Sequence, residues 1–238
     1  MIRLLFQGDS ITDGNRYKDP ASRWDLNHQI GHSYVFPIVG TLGKKYVGKF
    51  QFINRGVSGD RVSTIAERWQ TDTLDENPDI LSILLGTNGN GAFETFTKEE
   101  IEAHLNEFDS GYRALLDATL ARNPDVRFIL IEPFSLPTGA RREHYDTFFA
   151  VFERKQAIIR RIAEDYRAVW VPVQETLERL AEETSAVFAR DHIDLDPMAY
   201  WLWDGVHPTE PMHCVLSDLW LEATADLLDQ CVRADTNG

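Results

Sequence analysis

Short apolar runs alternate with longer amphipathic stretches from end to end of this 238-residue chain, and that alternation constrains the fold more than any other feature. Five runs read as strands: residues 2–7, 50–54, 79–86, 126–132 and 168–173. The third, DILSILLG, is apolar almost throughout, as a strand covered on both faces must be. Pro172 places the end of the fifth near an edge, because proline cannot donate to a ladder. Helical patterns lie between the strands. Phe148, Phe152, Ile159, Ile162 and Tyr166 recur at helical spacing, with Glu153, Arg154, Arg160, Arg161 and Glu164 on the opposite face. Leu216, Leu219, Trp220, Ala223 and Leu227 form a second stripe, and residues 98–121 and 174–189 also read as helices. Parallel neighbours need a crossover connection, so strand and helix in alternation specify a parallel sheet with helices on both faces. The expected fold is α/β, a three-layer sandwich on a central five-stranded parallel sheet. No repeat, low-complexity segment or Gly/Pro/Ser-rich linker interrupts it, so one domain is expected over residues 1–238.

Composition narrows the class of function. A hydrophobic share of 43% and a charged share of 26% suit an ordinary globular core. The net charge, 24 minus 38 or −14, argues against nucleic acid and anionic membranes, which are held by clustered Lys and Arg. It favours neutral or cationic small substrates. No apolar run approaches the 18 or so residues of a membrane span. Cys214 and Cys231 fall in the last predicted helix, and the seventeen positions from 214 to 231 span roughly 25 Å of helix. A bridge between them is not expected. The opening apolar run ends at Gly8-Asp9-Ser10, too short for a leader peptide, so a cytoplasmic location is expected.

In an open parallel sheet, ligands bind beyond the carboxyl ends of the strands, where the strand order reverses. The loops at 8–15, 55–61 and 86–91 follow the first three predicted strands, and each is rich in Gly and small polar residues. Ser10, directly after a strand and two residues past Gly8, is either a nucleophile on a tight turn or a helix cap. A serine hydroxyl needs a base, and histidine has a pKa near neutrality. His207 lies far along the chain in Asp204-Gly205-Val206-His207-Pro208-Thr209, where Asp204 can fold back onto its second ring nitrogen. The plain alternative is a turn held by Asp204, with Thr209 capping the last helix. The Ser10 and Gly59 N–H groups and the Asn88 amide could together surround a developing oxyanion.

Gly8-Asp9-Ser10-Ile11-Thr12, Gly59, Asn88 and Asp204-x-x-His207 resemble, in order, the motif blocks of the SGNH hydrolases, the GDSL lipase/esterase superfamily. The blocks span residues 8–209. The resemblance implies a flavodoxin-like SGNH hydrolase fold. It also implies Ser10 as nucleophile, His207 as base, Asp204 as its partner, and an oxyanion hole of Ser10, Gly59 and Asn88. The stretches FQGDSITD, NRGVSGDRV, IEPF and DGVHPT are similar to bacterial carbohydrate acetylesterases such as acetylxylan esterases. That implies removal of small acyl groups, O-acetyl above all, from sugars such as xylo-oligosaccharides, with no metal or organic cofactor. Two departures stand out: Gly89 where the family has Asp, and Met212-His213 where it has Gly-His. The segment 89–93 is expected to reshape the pocket. The pattern is not G-x-S-x-G, so the α/β-hydrolase arrangement is excluded.

Asp9, Arg61 and Trp203 are candidate substrate contacts. Arg16 and Arg61 suit a substrate oxygen, and Trp201 and Trp203 suit a sugar face, each with a structural role as the alternative. His28, His32, His104, His144 and His192 show no metal-ligand spacing. Two rival functions stay open: a metal-dependent phosphoesterase gathering Asp9, Asp13, Asn88, His207 and His213, and a catalytically inactive carbohydrate-binding member of the fold. The expected partner is an acyl ester of a small molecule or oligosaccharide, not nucleic acid or membrane. A homo-oligomer is also expected if Trp24, Phe93 and Phe96 need cover.

Overall fold

A computed structural model describes residues 1–19, 26–89 and 93–237. Five strands form one sheet: β1 (Ile2–Gly8), β2 (Phe50–Asn54), β3 (Ile80–Leu84), β4 (Arg127–Ile131) and β5 (Val169–Val171). Their order is β2-β1-β3-β4-β5 and every pairing is parallel. All five expected strands are present, and β5, beside Pro172, is an edge. The order reverses around β1, so the chain crosses over it on the way from β2 to β3. The crevice at that point lies between the loops after β1 and β3.

The helices are α1 (Ser10–Asp13), α2 (Leu26–Ile30), α3 (Val35–Lys45), α4 (Val62–Glu67), α5 (Lys98–Arg122), α6 (Tyr145–Asp165), α7 (Gln174–Arg190) and α8 (Glu210–Asn237). A π-helical turn over Gln70–Leu74 follows α4. Side chains alternate across each strand and so feed two separate cores. Leu4, Phe6, Ile80 and Leu84 pack under α3, α7 and α8. Leu5, Leu81 and Ile83 pack under α4, α5 and α6. Ser82 would be a costly polar group in the middle of β3, and it accepts a 2.9 Å bond from the buried Trp220 indole.

The long helices match their periodic patterns. α5 opens with a capping box, Thr97 accepting from the Glu100 N–H and the Glu100 side chain accepting from the Thr97 N–H. Among the described residues no helix is long and apolar enough to cross a membrane. Cys214 and Cys231 are both free thiols on α8.

Candidate active site

The loop after β1 turns straight into α1. Asp9, not Ser10, is the cap: its Oδ1 accepts from the Ile11 N–H at 3.0 Å, and Ser10 is the first helical residue. Ser10 is therefore not spent as a capping side chain. Its Oγ lies 2.7 Å from His207 Nε2. His207 Nδ1 lies 2.7 Å from Asp204 Oδ2. Three groups from two distant stretches thus form one unbroken line of hydrogen bonds.

The Asp204–His207 segment is a tight hairpin. A single antiparallel bridge joins Leu202 to Pro208, and the Trp203 N–H donates to His207 O at 3.2 Å. Asp204 Oδ1 accepts from the N–H groups of Val206 and His207, at 3.1 and 2.8 Å. Gly205 adopts φ +94, where a Cβ would lie 2.7 Å from the Arg141 side chain and from Thr138 O. Only glycine fits that left-handed position without displacing a neighbour. Gly205 O accepts from Ser135 Oγ at 2.8 Å and from the Leu136 N–H at 3.0 Å, which docks the hairpin on the loop after β4. Thr209 is not a side-chain cap, since its hydroxyl donates back to Tyr200 O at 2.7 Å.

Electrostatics follow from these contacts. Partial burial raises the Asp204 pKa, but its bonds to the His207 ring and to the His207 and Val206 N–H groups outweigh it and leave the carboxyl below its usual range. The bond to Asp204 raises the His207 pKa against partial desolvation, with Asp204 and Asp9 adding negative charge and Arg141 opposing. Burial pushes Asp9 up to about 7, against its bond to the Ile11 N–H.

Asn88 sits just beyond the end of β3. Its Nδ2 donates to Asp9 Oδ2 at 3.2 Å and to Asp60 O at 3.1 Å. Asp60 is itself fixed, accepting from Thr64 Oγ1 at 3.0 Å and from both Nε and Nη2 of Arg68. The Asn88 amide is thus aimed by the Asp9 carboxylate and the Asp60 backbone carbonyl. Gly59 is exposed, and its N–H donates to nothing among the described residues.

The remaining candidates divide. Asp9 has no exposed surface and both its oxygens are engaged, so it is a support for Asn88 and not a substrate contact. Arg16 is 8% exposed and donates to Gly56 O at 2.9 Å, which is the structural one of its two readings. Trp201 donates to Thr184 Oγ1 at 2.9 Å and packs edge-on against Tyr200, so it belongs to the wall. Trp203 stacks on the His207 ring at 5.4 Å and 19°, yet is 61% exposed. Arg61 is exposed beside Gly89.

Gly89 adopts φ +75, and a Cβ there would stand 3.2 Å from Arg61 Cδ. The absent side chain makes room for that arginine. His213 Nδ1 accepts from the Tyr34 N–H at 3.1 Å, tying α8 to the start of α3, and burial holds the ring pKa down to about 4. That nitrogen is therefore not offered to a metal. Among the described residues no three His, Cys, Asp or Glu side chains are placed to hold one ion. Phe93 is buried by its own chain and needs no partner subunit, Phe96 lines a cavity, and Trp24 lies outside the described residues. Residues 90–92 of the expected pocket insertion also lie outside them.

The sequence model of the GDSL-like Lipase/Acylhydrolase family matches residues 6–214. An acetylxylan esterase from Geobacillus stearothermophilus is 30% identical over 223 residues, which is 92% of each chain. The crystal structure of Axe2, an acetylxylan esterase from the same organism, superposes with a TM-score of 0.68 at 28% identity, covering 93% of both chains. A protein from Parabacteroides merdae described as GDSL-like lipase superposes with a TM-score of 0.76 at 31% identity, over 94% of this chain and 95% of its own.

Proposed function

The chain belongs to the GDSL-like lipase/acylhydrolase family and is a carboxylic ester hydrolase, and on that premise we propose that it removes acetyl groups from carbohydrate esters through a Ser10–His207–Asp204 relay. The observation that carries the reading is the pair of 2.7 Å contacts from Ser10 Oγ to His207 Nε2 and from His207 Nδ1 to Asp204 Oδ2.

Chemistry follows from that line. Asp204 holds the proton on Nδ1, which leaves the Nε2 lone pair facing the serine hydroxyl. Ser10 Oγ attacks the acetyl carbonyl as its proton passes to Nε2. The new imidazolium lies beside a carboxylate held below its usual range, so the charge pair is favourable. The carbonyl oxygen becomes an oxyanion among the Ser10 N–H, the Gly59 N–H and the Asn88 amide. Asn88 shares one of the hydrogens now aimed at Asp9 and Asp60 O. The C–O bond to the alcohol breaks as His207 returns the proton to it. Water then attacks the acetyl-enzyme by the same route, releasing acetate and restoring Ser10.

The sugar part of the reading rests on two supports. The acetylxylan esterase relative spans nearly the whole chain. Trp203 has one face on His207 and most of its surface open to solvent, where a pyranose ring can lie.

The test is hydrolysis of p-nitrophenyl acetate and of acetylated xylo-oligosaccharides by the wild type and by Ser10→Ala. The wild type is expected to release acetate from both, and the variant to lose about six orders of magnitude in kcat, the usual cost of deleting a serine nucleophile. Wild-type turnover by Ser10→Ala would overturn the mechanism. Turnover of the aryl ester alone would overturn the carbohydrate assignment.

A further inference from the structure

A cavity of about 1020 Å³ opens beside Asn88 and Gly89 and runs between α4 and α5. It is far larger than an acetyl group. Its deep wall is apolar, with Trp69, Phe108 and Leu115. Its ionisable lining is out of keeping with the chain. The chain has 24 basic residues against 38 acidic ones, yet the cavity is lined by Arg61, Arg141 and Lys155, with His104, against Glu107 as its one acid among the described residues.

Arg61 and Arg141 make no ion pair among the described residues. Other arginines around the site are neutralised: Arg68 by Asp60 and Asp72, Arg55 by Glu76, and Arg142 by Asp196. The Arg61 stem lies against Gly89. Arg141 is half-buried, packed on Gly205 with its guanidinium 4.4 Å over the Phe148 ring. The two flank the reacting groups, one beside the Asn88 loop and one beside the His207 hairpin. Burial lowers the Arg141 pKa, and Asp204, already bound to His207, is the acid that opposes the fall. Lys155 is buried on α6 with Phe108 4.9 Å and Phe93 5.9 Å from its ammonium. Burial, then the charge of Arg61, lowers its pKa to about 7. An arriving anion would favour the charged form of this amine. A partly desolvated guanidinium without an acid of its own, as at Arg141, is costly to keep unless a ligand completes it, and the planar fork of both arginines suits carboxylate or phosphate oxygens.

We infer that this cavity binds an anionic group, a carboxylate or a phosphate, carried by the ester substrate and held by Arg61 and Arg141. The inference rests on the acetylesterase reading above. If the acyl group is acetyl, the charge must sit on the alcohol, so the substrate class is an acetylated sugar acid or sugar phosphate.

The experiment compares kcat/KM for three acetylated pyranosides on one enzyme: methyl xyloside (neutral), methyl glucuronoside (carboxylate) and glucose 6-phosphate (phosphate). The wild type is expected to favour at least one anionic ester about tenfold or more at low salt, the scale of charge-assisted hydrogen bonds, with the preference shrinking as salt rises. The arm that is favoured identifies the anion. In Arg61→Gln and Arg141→Gln the anionic-to-neutral ratio should fall toward one, and Arg141→Lys should keep part of it. A ratio taken within each enzyme cancels any effect on the acyl-transfer step. Equal use of neutral and anionic esters by the wild type, or a ratio unmoved in both glutamine variants, would overturn the inference and leave the esterase reading standing. If the wild type cleaves no acetyl ester, the esterase reading fails. Calorimetry with glucuronate and glucose 6-phosphate against methyl xyloside then decides the anion site by itself. Binding of either anion that weakens about tenfold in Arg141→Gln supports the site, and binding no tighter than methyl xyloside rejects it.

Discussion

The two arms of the site are built differently. Behind Ser10 the side chains of Asp9, Asp13 and Asn54 are buried and cross-tied. Asp9 carries both the Ile11 N–H and the Asn88 amide, and Asp13 Oδ2 accepts from the Ser58 N–H at 3.0 Å. Asn54 Nδ2 reaches Thr12 O and Ile30 O, each at 2.8 Å. These bonds join loops that are distant in sequence. The His207 hairpin has fewer cross-ties: Asp204 and the Leu202–Pro208 bridge hold it to itself, Gly205 O and the buried Leu202 anchor it, and a largely exposed Trp203 lies over the ring. The side proposed to carry the nucleophile and oxyanion hole is thus tied to the loops at the sheet's edge, whereas the side proposed for acid–base work is fixed by a turn. Rigid elements hold reacting groups more tightly than loops do.

That contrast can be broken from either side. Asp204→Asn attacks the turn. It keeps an acceptor for the Val206 and His207 N–H groups but favours the wrong His207 tautomer, so kcat should fall by about 10⁴ with the fold intact. Steady-state kinetics with a circular dichroism control reads this, and a loss of only a few-fold would mean the hairpin does not aim the base through Asp204. Asn88→Ala attacks the cradle and should cost about 10²–10³ in kcat, the usual loss of one oxyanion donor, with KM little changed. A change confined to KM would place Asn88 in substrate binding instead.

Asp9→Asn is the finest cut. It retains an oxygen for the Ile11 N–H but presents an amide where Asn88 needs an acceptor, so kcat should drop by about tenfold, less than the loss of the donor itself. It also moves the pH profile. Only the neutral His207 ring accepts a proton, so activity falls in acid, with a limb above the ordinary histidine value of 6.5 because Asp204 and Asp9 raise it. Asp9 itself titrates at about 7, so the limb belongs to the pair. Removing the Asp9 charge should shift the limb to lower pH. A limb that stays in place would mean the two groups are not coupled.

Much of the fold was legible because the strands are nearly continuous apolar runs. α3 was not, since Pro37, Gly40 and Gly43 blur its pattern. Pro37 is tolerated because it lies in the first turn, where an N–H has no helical partner. Ser10, His207 and Asp204 stood out through the resemblance of their motif blocks to the family, and the structure brings the three side chains together. The support beneath them was not: Asp9 reads equally well as a surface acid, and its role depends on Asn88 and Asp60 arriving from other strands. Arg141 and Lys155 lie in no motif and enter the cavity only once α6 packs against α5. The net charge of −14 pointed toward neutral or cationic substrates, but a chain-wide sum says nothing of three basic side chains gathered in one cavity.

The most direct measurement is covalent labelling by a fluorophosphonate followed by peptide mass analysis. One adduct on Ser10 is predicted at pH 8, absent from His207→Ala and slower as the pH drops through the His207 limb. An adduct on any other residue, or equal labelling without the histidine, would contradict the account.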